Sequence, residues 1–129
     1  GEWNVIRAAR AIQAMGPKTL IIKKGEHGAL LFQGESCFLA AAFPLEHVLD
    51  PTGAGDSFAG GFMGYLDRAD SHDESTFRQA VIMGSTVASY CCEAFGVERL
   101  LTLKEKEINA RFQEFASMVH FDRLPVEGA

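Results

Sequence analysis

Residues 50–62 read Asp-Pro-Thr-Gly-Ala-Gly-Asp-Ser-Phe-Ala-Gly-Gly-Phe, and they are the most informative segment of the chain. An apolar segment ends near Leu49 and helical periodicity begins near Ala54, which predicts a strand, a short loop and a helix. Gly53 and Gly55 carry no Cβ, so successive backbone N–H groups of the loop can face an oxyanion. The helix behind them adds about half a positive charge at its N-terminus. We therefore predict an anion site, most naturally for phosphate.

Asp56 follows this loop directly, in the first turn of the predicted helix. A carboxylate there interacts favourably with the helix dipole, which is reason enough for its presence. The same carboxylate would oppose a bound phosphate, and that placement suits a base that takes the proton of an attacking hydroxyl. Taken alone, the residues leave both roles open.

Three further glycines, at positions 60, 61 and 64, lie inside the predicted helix. Each of them weakens a helix by about 1 kcal/mol relative to alanine. Close packing against a neighbouring element would offset this cost, and so would the close approach of a ligand. Both explanations remain open from the sequence.

The rest of the chain has strands in its first half and helices in its second. A helical stripe ends at Gly16-Pro17, and the absence of a clear capping residue before it suggests a piece cut from a larger protein. Strands are predicted at residues 19–24, 29–32, 37–42 and 47–49. The first reads as buried on both faces, and tight turns imply antiparallel hairpins. Ser71-x-x-Glu74 and Thr102-x-x-Glu105 predict capping boxes before two later helices.

Length and composition indicate one ordinary globular domain. The 129 residues carry 12 basic and 17 acidic side chains, and this net charge of −5 argues against nucleic acid as a partner. No apolar run reaches the length of a membrane span, so we expect no membrane partner. The cysteines, at positions 37, 91 and 92, suit a reducing cytosol better than a disulfide framework. The four histidines are too scattered for a zinc site.

Several motifs of other enzymes do not fit the stretch at residues 50–62. The chain has no G-x-x-x-x-G-K-[ST] sequence, which excludes a P-loop. Phe58 stands where a dinucleotide fingerprint requires glycine. A hydrolase with Ser57 as its nucleophile is a remote alternative, because Ala59 replaces the second glycine of G-x-S-x-G.

Residues 50–62 closely resemble the second signature of the PfkB/ribokinase family of carbohydrate and nucleoside kinases. Residues 21–29, Ile-Ile-Lys-Lys-Gly-Glu-His-Gly-Ala, are similar to the nucleotide-contacting strand and turn of that family, with Lys23 where many members have threonine. The resemblance implies a ribokinase-like three-layer α/β/α fold. Residues 1–129 would form its C-terminal nucleotide-binding part, with a small mixed sheet and flanking helices, and without the N-terminal half and the lid.

The same resemblance implies a role for each matching residue. Asp56 would be the catalytic base for the substrate hydroxyl. The anion hole would consist of the N–H groups of Gly53, Ala54, Gly55 and Asp56. The nucleotide would be bound by Lys23, Gly25, Gly28, Gly84 and Ser85. A monovalent cation such as K⁺ would be held, as in some members, by Asp50 and Thr52.

The implied function is ATP-dependent and Mg²⁺-dependent phosphorylation of a sugar, sugar acid or nucleoside hydroxyl in the cytoplasm. The Gly-Gly signature of the acceptor site and the Asn-x-x-Glu motif that organises Mg²⁺ in the family are absent from this chain. We therefore expect the isolated chain to be inactive and, through an uncovered sheet edge, to self-associate as a homo-oligomer. The alternative is a nucleotide-binding fragment without catalytic activity.

Overall fold

A computed structural model describes residues 1–128. It contains helices α1 Val5–Gln13, α2 Ala54–Arg68, α3 Glu74–Cys91, α4 Glu98–Thr102 and α5 Glu105–Val119. Its strands are β1 Thr19–Lys23, β2 Ala29–Gln33 and β3 Ser36–Ala40. A single 3-10 turn, Gly25–His27, connects the first two strands. The predicted α/β order and the first three strands are confirmed, with ends shifted by one or two residues.

The strands form one sheet in the order β1-β2-β3, and both pairs are antiparallel. Ile21 pairs with Leu31, and Leu31 pairs with Phe38. The hairpins are therefore confirmed, whereas the expected mixed sheet is wrong, because two tight turns reverse the chain each time. The predicted strand at residues 47–49 is also wrong, since this segment is irregular.

The central strand β2 is buried on both faces, which places helices on the two sides of the sheet. Leu30 and Phe32 pack with Ala9 of α1 on one side. Ala29 and Leu31 join a larger cluster with α2, α3 and α5 on the other side. We expected this double burial for β1, but β1 is an outer strand of the sheet and only half-buried.

Helices α2 and α3 pack closely because glycines lie at their contact. A Cβ on Gly84 would lie 2.8 Å from the carbonyl oxygen of Phe58. A Cβ on Gly61 would lie 3.0 Å from the side chain of Val87. Packing therefore explains Gly61, whereas a Cβ on Gly64 would meet only open space among the described residues. The same open space surrounds position 60.

The helix caps differ from those predicted. Asn4 caps α1, since its side chain accepts hydrogen bonds from the N–H groups of Ile6 and Arg7, and the expectation of an uncapped start is wrong. Asp73 caps α3 in place of Ser71, because its carboxylate accepts from the Thr76 N–H over 2.8 Å. The second predicted box is displaced as well, since α5 begins after residue 104, whose N–H donates to the Glu107 side chain. No helix within residues 1–128 is long and apolar enough to cross a membrane.

Candidate active site

Residues 50–56 comprise the sharp turn before α2 and the first residues of that helix, and we call them the anion-binding loop after their predicted role. The Asp50 carboxylate accepts a hydrogen bond from the Thr52 N–H over 2.9 Å. Hydrogen bonding from Thr52, through its side chain and then its N–H, holds the pKa of Asp50 below its ordinary value. Gly53 then adopts the left-handed conformation, with φ of 84°, which a residue with a side chain rarely does. These two features explain why the sequence folds into this loop.

The loop leaves backbone donors unused at the N-terminus of α2. Within residues 1–128, the N–H groups of Gly53, Gly55 and Asp56 make no hydrogen bond. The Ala54 N–H donates to the Pro51 carbonyl oxygen over 3.1 Å, so its place in the anion hole stays a prediction. Three free donors and the positive end of the helix dipole are what the predicted anion site requires, and anion binding itself stays a prediction.

The core holds α2 in place while the loop stays open to solvent. Phe58 and Phe62 are buried, and their rings stack with centroids 6.4 Å apart. Gly53, Gly55 and Asp56 are exposed one turn away. Asp56 therefore lies in the exposed first turn of a helix that the core anchors, and its own N–H is one of the free donors. Its exposure leaves it accessible to a substrate hydroxyl.

Lys23 joins the site from the end of β1. Its ammonium donates to the Gly55 carbonyl oxygen over 3.2 Å and lies 5.8 Å from the centroid of the Phe58 ring. The structure thus places a positive charge beside the exposed start of α2. The Lys23 ammonium and the positive end of the α2 dipole lie together here, so both favour a bound anion.

Gly25 and Gly28 follow Lys23 in the turn between β1 and β2. Both have positive φ, 56° and 87° respectively. A Cβ on Gly28 would overlap the carbonyl oxygen of Ala40, so packing against β3 already requires glycine there. Gly25 is surrounded by open space within the described chain. Their nucleotide contacts stay predictions.

Gly84 and Ser85 lie in the buried part of α3. Gly84 contacts the Phe58 backbone and ring, which gives it a packing role between helices. Ser85 is 9% exposed. The structure does not bring these two residues to the open surface of the loop, and their predicted contact with the adenine stays a prediction.

Three residues that contact the loop, Cys91, Cys92 and Gly96, were not predicted from the sequence. The N–H groups of Leu49 and Asp50 donate to the Cys92 carbonyl oxygen over 2.9 and 3.4 Å. The Cys91 thiol contacts the carbonyl oxygens of Thr52 at 3.5 Å and Gly96 at 3.8 Å. No local sequence signal could have found them, since about 40 positions separate Cys91 from Thr52. These carbonyls and the Asp50 carboxylate are oxygen donors, the type that hard cations prefer.

Two other chemistries find no support in the described part of the chain. Residues 1–128 contain no group of three His, Cys, Asp or Glu side chains that could hold a metal ion. No hydrogen bond in this range joins the Ser57 hydroxyl to a histidine, so the remote hydrolase alternative lacks its base. The three cysteines are free thiols.

The layered α/β core, with the glycine-containing loop before α2, has a ribokinase-like fold. The chain superposes on aminoimidazole riboside kinase from Salmonella enterica with a TM-score of 0.73 and 30% identity, covering 88% of this chain and 37% of that one. It superposes on ribokinase from Thermotoga maritima with a TM-score of 0.71 and 27% identity, covering 86% and 35%. The predicted fold class is confirmed.

The chain belongs to the pfkB family of carbohydrate kinases, whose family model matches residues 2–103. Cytidine kinase from Thermococcus kodakarensis is 39% identical over 75 residues, which are 57% of this chain and 27% of that protein. Aminoimidazole riboside kinase from Salmonella typhimurium is 33% identical over 95 residues, which are 74% of this chain and 30% of that protein. The chain thus spans less than a third of the length of either relative.

Proposed function

We propose that residues 1–129 form the C-terminal, nucleotide-binding part of a cytoplasmic kinase that transfers a phosphoryl group from ATP to a sugar or nucleoside hydroxyl. The observation that carries the proposal is the set of free N–H groups of Gly53, Gly55 and Asp56 at an exposed helix N-terminus. The relatives support the substrate class, since one of them was solved with aminoimidazole riboside and an ATP analog.

Each loop residue has a distinct role in the proposed reaction. Asp56 takes the proton from the acceptor hydroxyl as its oxygen attacks, and the free N–H groups stabilise negative charge on the phosphoryl oxygens. The ammonium of Lys23 adds positive charge beside them, and the turn of Gly25 and Gly28 meets the nucleotide. Because the free N–H groups belong to the backbone of the loop and of α2, they need little reorganisation during transfer.

We propose that Mg²⁺ and K⁺ are bound by different parts of the full-length kinase. Mg²⁺ neutralises phosphate charge when it is bound. The family organises Mg²⁺ through an Asn-x-x-Glu motif, and we propose that this motif holds it in the full-length kinase. The Asp50 carboxylate and the carbonyl oxygens of Thr52 and Gly96 suit a monovalent cation such as K⁺, because all three offer oxygen ligands. The two carbonyl oxygens contact the same Cys91 thiol, and the carboxylate is hydrogen-bonded to the Thr52 N–H.

A phosphorylation assay on the full-length kinase tests the proposal. With ATP, Mg²⁺ and K⁺, we expect transfer to at least one member of a panel of ribosides, pentoses and hexoses. The 129-residue chain alone should show negligible transfer, because acceptor and metal are not positioned. A full-length protein that phosphorylates no member of the panel, whether or not it hydrolyses ATP, would contradict the kinase assignment.

The second candidate is a nucleotide-binding fragment without turnover, and the small share of the relatives' length favours it for the isolated chain. Isothermal titration with ADP should then show binding, whereas no heat would exclude it.

Large apolar side chains such as Leu39, Leu101 and Phe121 are about 80% exposed. We therefore also propose self-association of the isolated chain, which light scattering after gel filtration tests.

A further inference from the structure

The anion-binding loop rests on the C-terminal end of α3. The Cys92 carbonyl oxygen accepts from the N–H groups of Leu49 and Asp50. The Cys91 thiol contacts the Thr52 carbonyl oxygen. The position of the loop therefore depends on where residues 91 and 92 lie.

The next residue, Glu93, lies between two arginines. The Arg111 Nη2 atom of α5 is 2.6 Å from one carboxylate oxygen of Glu93, and the Arg99 Nε atom is 3.8 Å from the other. The side chains of Arg111 and Glu93 are 17% and 28% exposed. Solvent and salt therefore screen this pair less than a pair on the open surface.

Further contacts hold Arg111 in one orientation. Its guanidinium carbon lies 3.6 Å from the centroid of the Tyr90 ring, and its Nη1 atom donates to the Ser89 hydroxyl over 3.0 Å. The Tyr90 hydroxyl donates to the Glu107 carbonyl oxygen in α5 over 2.8 Å. A planar guanidinium that is stacked and hydrogen-bonded in this way cannot be replaced by a lysine ammonium. The last turn of α3 and α5 are thereby locked together.

We propose that Arg111 is a positioning residue for the anion-binding loop. Acting through Glu93, it fixes the end of α3 and with it residues 49–53. The consequence for turnover rests on the proposed function, since phosphoryl transfer depends on the placement of the loop. Arg111 lies outside residues 2–103, the range that the family model matches.

Amide hydrogen exchange in the full-length kinase tests whether Arg111 holds the loop in place, and this measurement does not require turnover. In Arg111→Met and in Glu93→Gln, we expect the Leu49 and Asp50 amides to exchange about tenfold faster, while those of β2 stay unchanged. Glu93→Gln keeps the side-chain shape, so it remains informative if Arg111→Met folds poorly. Arg68→Met is the matched control, because Arg68 also pairs with α5, through Glu105 at 3.9 Å, but at the surface.

Kinetics of the full-length kinase test the functional part. Both variants should lower kcat about tenfold or more with a smaller change in the KM for ATP, since misplacement by 1 Å can cost about 10²-fold. They should also raise the K⁺ concentration for half-maximal activity, which general destabilisation would not do. Arg68→Met should leave all three quantities unchanged.

The outcomes separate the two proposals. Unchanged exchange at Leu49 and Asp50, or equal acceleration in β2, overturns the role of Arg111 whatever the activity. Accelerated exchange with normal kcat and K⁺ dependence overturns it as well. A wild-type kinase without phosphoryl transfer overturns the proposed function, and the exchange measurement still decides whether Arg111 holds the loop.

Discussion

The ammonium of Lys23 lies 3.2 Å from the carbonyl oxygen of Gly55, although 32 positions separate the two residues. The contact joins the end of β1 to the first turn of α2. It brings a strand, a helix N-terminus and the Asp56 carboxylate into one site. If phosphate binds as proposed, a positive side chain in this position adds to what the free backbone donors contribute.

Replacing Lys23 should weaken nucleotide binding. We expect Lys23→Met to raise the dissociation constant for ATP about two- to fivefold, because an exposed charge contact is worth up to about 1 kcal/mol. The effect should shrink at high salt. Titration calorimetry of the full-length kinase measures it, with Lys24→Met as the exposed neighbouring control. Equal losses in the two variants would show a general charge effect and contradict a specific contact.

Replacing Asp56 should slow the chemical step. In the full-length kinase, we expect Asp56→Asn to lower kcat by about 10²–10⁴-fold, the usual contribution of a general base, with little change in nucleotide affinity. Asp67→Asn removes an exposed carboxylate further along α2 and should leave kcat unchanged. Near-normal turnover of Asp56→Asn would exclude this residue as the base.

Two glycines should respond to alanine in opposite directions. Gly84→Ala forces a methyl group within 2.8 Å of the Phe58 carbonyl oxygen, so we expect a loss of about 1–3 kcal/mol in the free energy of unfolding. Gly64→Ala adds a methyl group in open space and should gain about 0.5–1 kcal/mol. Urea denaturation measures both. A neutral Gly84→Ala would mean that the two helices are not closely packed.

The cap of α3 should make stability depend on pH. Hydrogen bonds from the Thr76 N–H and then its hydroxyl lower the pKa of Asp73 from its ordinary 3.8. The stabilisation is therefore complete above pH 3.8 and is lost as the pH falls through the lower folded-state value. Asp73→Asn keeps a capping oxygen but cannot titrate, so its stability should fall less on acidification.

Urea denaturation at several values between about pH 5 and pH 2 compares the two proteins. Asp70→Asn, which changes an exposed carboxylate outside the cap, should follow the wild type. Parallel pH profiles for wild type and Asp73→Asn would show that the cap contributes nothing to acid sensitivity.

Much of the fold and part of the site could be predicted because their signals are local. Gly53 and Gly55, next to a helical pattern, predicted a loop followed by a helix, and the predicted start of that helix at Ala54 is confirmed. The caps were less predictable. Ser71 and Asp73 are both good capping residues, and the backbone decides which one meets the Thr76 N–H.

The first three strands, their hairpins and the glycine loop that leads into α2 could be predicted, because turn residues and periodicity act over a few positions. The predicted strand at residues 47–49 is absent, and the short helix α4 was not predicted. Tertiary packing, in contrast, makes β2 the doubly buried strand, brings the Lys23 ammonium to the Gly55 carbonyl oxygen and places the Asp50 N–H against the Cys92 carbonyl oxygen. Each of these depends on which distant surfaces pack together. Burial of apolar side chains drives that packing, and it is set by the whole core rather than by any short stretch of sequence.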